Sequence, residues 1–125
     1  MKIDIEITDL PIAGQGANCS DGTSGAVVEF AGIVRATEGD QAIDALQYEA
    51  YDAMARSEME RILRELEIQF RCHSVEVKHR KGRVPVGEAA IVVRVAAKHR
   101  AEAFGMLAAF MNRLKQDVPI WKATP

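Results

Sequence analysis

Apolar and charged residues alternate over Met1 to Ile7, with Ile3, Ile5 and Ile7 on one side and Lys2, Asp4 and Glu6 on the other. A period of two predicts a half-buried strand. Residues 13–25, rich in Gly, Ser, Asn and Asp, form a linker-like stretch inside the domain. From Gly25 to Val34 the chain is β-rich and apolar on both faces, which predicts a buried strand ending at Arg35. A polar loop over Thr37 to Asp40 leads to a further strand, Ile43 to Tyr48. The spacing then lengthens. Asp52 is placed to cap a helix running to about Phe70, with Ala55, Met59, Ile62, Leu63, Leu66 and Phe70 on its buried face. Val75, Val77 and His79 alternate with Glu76, Lys78 and Arg80 as a strand, Pro85 to Glu88 turns the chain, and Ala89 to Ala97 forms another strand. A second helix is predicted from about Arg100 to Asp117, with Phe104, Leu107, Met111 and Leu114 as its apolar stripe. Pro119 stops it by withholding an N–H and restricting Val118, and Ile120 to Lys122 resumes in extended form. The order β-β-β-α-β-β-α-β defines one α+β domain over residues 1–125, with a mostly antiparallel sheet and two main helices packed on it.

Composition adds limits. With 48% hydrophobic and 27% charged residues the chain has the balance of a globular domain, and no apolar run approaches the length of a membrane span. The alternating start is unlike a signal or transit peptide, and Cys19 and Cys72 lack metal-ligand spacing, so both are expected to be reduced thiols of a cytoplasmic protein. Net charge is −2 but unevenly spread: residues 1–70 carry 5 Lys/Arg against 14 Asp/Glu, and residues 71–125 carry 11 against 4. Such asymmetry fits either mutual neutralisation of neighbouring elements or an anionic ligand.

The basic residues that matter sit where elements end. Arg35 closes a strand, and His99 and Arg100 stand at a strand-to-helix junction, where free N–H groups already favour an anion. Lys115 lies in the last helical turn and Lys122 just past the proline break, so a reversal at Pro119 can bring the two lysines together. Each also has a plain structural role, Lys115 as a charge favourable to the helix dipole and Arg35 as a solvated strand end. No nucleotide loop, metal motif or stacking platform for nucleic acid is present in the sequence.

Five colinear strings over residues 25–122 resemble one family. They are Gly25-Ala-Val-Val-Glu-Phe-Ala-Gly-Ile-Val-Arg35, Leu46-Gln-Tyr-Glu-Ala-Tyr51, His79-Arg80-Lys81-Gly82 with Pro85-Val86-Gly87-Glu88, His99-Arg100-Ala101-Glu102-Ala103-Phe104, and Leu114-Lys115 through Pro119-Ile120-Trp121-Lys122. Together they resemble the large, catalytic subunit of molybdopterin synthase. The resemblance implies an α/β hammerhead-like fold with a small additional β-structure. It also implies a sulfurtransferase that carries sulfur from the C-terminal thiocarboxylate of a small ubiquitin-like carrier subunit onto cyclic pyranopterin monophosphate. A homodimer within a heterotetramer is implied, with no nucleic acid, membrane, metal or organic cofactor. Residue by residue, Lys115 and Lys122 fall on the catalytic lysines and Arg35 on the active-site arginine. Phe30 and Met111 fall on lining positions, and His99 and Arg100 on a pair reaching the pocket from the partner subunit to bind the pterin phosphate. The family pattern continues past Trp-Lys with a tail that adds a basic residue to the substrate site, whereas this sequence runs to Pro125. A non-catalytic dimer that binds an anionic metabolite or a partner's tail would carry the same basic residues.

Overall fold

The computed structural model describes residues 1–13 and 21–124; Cys19 and most of the 13–25 stretch lie outside them. The described elements run β1 (Lys2–Thr8), β2 (Ala26–Ile33), β3 (Thr37–Glu38), β4 (Gln41–Ala42), β5 (Ala45–Ala50), α1 (Asp52–Glu67), β6 (Ser74–Arg80), β7 (Gly82–Pro85), β8 (Ala89–Ala97), α2 (Arg100–Asp117) and β9 (Ile120–Ala123). The fold is α+β. A four-stranded sheet in the order β1-β6-β8-β2 is parallel between β1 and β6 and antiparallel elsewhere. A three-stranded antiparallel sheet, β7-β5-β9, and a small β3-β4 hairpin complete the β-structure.

Both helices cover one face of the larger sheet, α1 over β1 and α2 over β8 and β2, and they also pack on each other. The core between them holds Met59, Ile62, Leu63, Val75, Val77, Val93, Val95, Met106 and Phe110, all at most 1% exposed. Burial of one such side chain stabilises the fold by roughly 1.5–3 kcal/mol. A second, smaller core of Val34, Leu46, Val84 and Ala90 joins the two sheets. Neither described helix is long and apolar enough to cross a membrane.

Four expectations need correction. Among the described residues β2 is an edge strand, paired with β8 alone, so Phe30 and Ile33 are exposed rather than sandwiched. The buried stripe of α2 is Ala103, Met106, Phe110 and Leu114; Phe104 is 58% exposed. Asp52 does not cap α1: the N-cap is Tyr51 without a side-chain bond, and the Asp52 carboxylate accepts from Lys81 Nζ at 2.7 Å. The helix ends at Glu67, although Phe70 N–H still bonds back to the Leu66 carbonyl at 2.8 Å.

The uneven charge is partly neutralised in place. Asp52, Glu65 and Glu38 from the acidic half pair with Lys81, Arg113 and Lys122 from the basic half.

Candidate functional site: a cation-rimmed cleft

Three chain ends converge where the two sheets meet the C-terminus of α2. β2 delivers Arg35. After Ile33 the chain is fixed by Val34, whose N–H bonds the Glu88 carbonyl at 3.1 Å and whose own carbonyl accepts from Gly87 N–H at 2.9 Å. The Pro85–Glu88 turn that provides this anchor closes with Glu88 N–H on the Pro85 carbonyl at 3.1 Å. It needs the positive φ of Gly87, +89°, at its third position. Arg80, only 7% exposed, ties the same turn to β6 through Glu88 at 2.6 Å.

α2 delivers Met111 and Lys115, four residues apart on one helical face. Val118 leaves helical geometry at φ −91° and ψ 130°, its N–H still bonded to the Leu114 carbonyl at 3.2 Å. The chain reverses at Pro119, whose carbonyl accepts from Tyr51 N–H at 3.3 Å, and β9 then runs antiparallel to β5. That register sets Lys122 opposite Tyr48.

The result is a cleft of about 470 Å³ whose walls include Phe30, Arg35, Met111, Lys115 and Lys122. Sequence reasoning singled out all five. The cleft is also lined by Tyr48 and His79, which it did not. Two signals in the sequence bore on His79: its alternation with Val75 and Val77, which puts a titratable ring on the inward face of β6, and its place at the head of the His79-Arg80-Lys81-Gly82 string. His79 is 5% exposed; its Nδ1–H donates to the Arg80 carbonyl at 2.8 Å, and its ring meets Tyr48 edge-on at 5.4 Å. Burial pushes its pKa down from the ordinary 6.5, opposed in part by that hydrogen bond. Burial, and then the Glu38 carboxylate, push the Tyr48 phenol up. A neutral imidazole and a neutral phenol therefore back a rim of basic side chains.

Lys122 Nζ is paired with Glu38 Oε1 at 3.2 Å, while Arg35 and Lys115 make no ion pair among the described residues. Apolar walls with cations at the mouth suit an anion attached to an organic body. No group of three or more His, Cys, Asp or Glu residues gathers as metal ligands among the described residues. His99 and Arg100 do not line the cleft. They stand exposed at the N-terminus of α2, roughly 22 Å of helix away from Lys115.

The fold and this cleft define a small α+β protein with an anion-receptive site at a sheet junction. Residues 6–117 match the MoaE protein family, and the chain belongs to it. Arg35, His99, Arg100 and Lys115 fall inside the matched span, and Lys122 lies beyond it. The molybdopterin synthase catalytic subunit of Pyrococcus abyssi is 43% identical over 103 residues, covering 82% of this chain and 70% of that protein. The same-named subunit of Oryza sativa subsp. indica is 37% identical over 123 residues, with 94% of this chain but only 64% of that protein covered. The crystal structure of molybdopterin synthase from Staphylococcus aureus superposes with a TM-score of 0.86 at 31% identity, covering 96% of this chain and 89% of that one.

Proposed function

We propose that this chain is a catalytic subunit of molybdopterin synthase. In this reading it transfers sulfur from the C-terminal thiocarboxylate of a small ubiquitin-like carrier onto cyclic pyranopterin monophosphate, building the dithiolene of molybdopterin. The observation that carries the reading is the meeting of Arg35, Lys115 and Lys122 around one apolar-walled cleft. The names of the relatives support the same activity.

The carrier's tail enters with its thiocarboxylate toward the rim, where Arg35 and the lysines offset its charge. Its sulfur bonds to a pterin side-chain carbon as an oxygen substituent leaves that carbon, and water then hydrolyses the resulting thioester, leaving the sulfur on the pterin and a carboxylate on the carrier. Lys115 and Lys122 act as proton donors and acceptors in these additions and eliminations, while Phe30 and Met111 shape the walls. His99 and Arg100 bind the pterin phosphate at the cleft of a second copy, a role that their position away from their own cleft supports. The assembly is a cytosolic dimer of this chain with a carrier subunit at each outer end.

The test mixes the chain with a thiocarboxylated carrier and the cyclic pterin and assays the dithiolene product. Product formation is expected. Binding of both ligands without product would leave a non-catalytic anion-binding module.

A further inference from the structure

The cleft's cations are not equivalent, because one of them already has a counter-ion. Lys122 Nζ lies 3.2 Å from Glu38 Oε1, with the two side chains 52% and 32% exposed. Glu38 does not line the cleft; it reaches Lys122 from the β3-β4 hairpin beside it. The hairpin sets that position. Glu38 pairs with Gln41 across a two-residue turn in which Gly39 has φ +61°, and Ile43 N–H closes its base on the Ala36 carbonyl at 2.9 Å. The charge of Glu38 also reaches the cleft wall, since it is one of the two influences on the Tyr48 phenol opposite Lys122.

An ion pair this exposed adds little to stability. Its consequence lies in where the Lys122 side chain points and how much net positive charge the empty cleft presents. Resting on the reading of this cleft as the acceptor of anionic ligands, we propose that Glu38 is a specificity-determining residue that occupies Lys122 until an anionic ligand displaces it. The lysine is then handed from one anion to another rather than waiting uncompensated. Ligands with too little charge to compete with the carboxylate are disfavoured, a form of selection by competition. Lys122 lines the cleft while paired, so arrival of the ligand exchanges its contact with Glu38 for one with the ligand.

Calorimetric titration with inorganic pyrophosphate at low salt tests this on the whole chain without needing turnover. Glu38→Gln is expected to bind pyrophosphate about two- to tenfold more tightly than the unmodified protein, with Glu38→Asp close to the original. In a Lys122→Ala background the gain from Glu38→Gln is expected to vanish, because the competition runs through that lysine. Unchanged or weaker binding by folded Glu38→Gln would overturn the proposal. So would a gain that persists without Lys122, which would mark a general field effect, or an absence of pyrophosphate binding in every variant. A Lys122-dependent gain in a protein that makes no dithiolene would uphold the exchange and remove the sulfur-transfer reading. Dithiolene formation without such a gain would do the reverse.

Discussion

His79 is a titratable side chain set where water hardly reaches. Its Nδ1–H is committed to the Arg80 carbonyl, which leaves Nε2 as the unprotonated nitrogen of a neutral ring. Because burial lowers its folded pKa below the ordinary 6.5, protonation opposes folding. Above about pH 6.5 neither the folded nor the unfolded chain carries this proton, and the contribution to stability is complete. As pH falls, the unfolded chain binds the proton first, and stability is lost down through the lower folded value. Urea denaturation near about pH 7.5 and about pH 5.5 should show a steeper loss for the original protein than for His79→Gln. Equal slopes would mean that the ring titrates as it does in water. Cys72 illustrates the same physics without function: burial, then Glu102, push its thiol up to about 11, as suits an inert core thiol.

Among the elements, the turn before β8 does the most to position the site. Gly87 sits at φ +89° in the turn that holds Val34 and hence Arg35. Gly87→Ala should destabilise the protein by about 1–2 kcal/mol, the cost of a left-handed backbone for a residue with a Cβ. Chemical denaturation reads that loss, and an unchanged midpoint would show that the turn can relax to another conformation. The long elements were legible in the sequence because their periods repeat: β1, β6, β8 and the stripe of α1 all lie where alternation or helical spacing puts them. α2 carried two candidate stripes. The buried one begins at the small Ala103 and includes Met106 and Phe110, whereas the expected stripe began at the larger Phe104 and shares only Leu114 with it. β3 and β4 have two residues each, too few to show a period, and β7 is four residues beginning with Gly and ending with Pro. β2 is apolar on both faces although it is an edge strand. Part of that surface lines the cleft, at Phe30 and Ile33.

On the scale of the molecule, the five cleft residues named from sequence meet because chain ends and turns converge at one sheet junction. His99 and Arg100 remain at the far end of α2. The proposed site, completed by a second copy, would account for that separation. Light scattering should then give about twice the chain mass, and Arg100→Ala should weaken pterin binding by about 1–3 kcal/mol without unfolding the protein. A strict monomer, or unchanged affinity in the folded variant, would remove the shared site.

The proposed chemistry rests on the two lysines delivered by the end of α2 and by β9. Single-turnover sulfur transfer by Lys115→Arg and Lys122→Arg, with melting temperatures recorded alongside, tests it most directly. Arginine keeps the charge but does not readily release a proton at neutral pH. Each variant is expected to stay folded, bind the carrier and lose about 10²–10⁴-fold in transfer rate. Near-original rates in both folded variants would contradict lysine acid–base catalysis and leave the cleft as an electrostatic cradle.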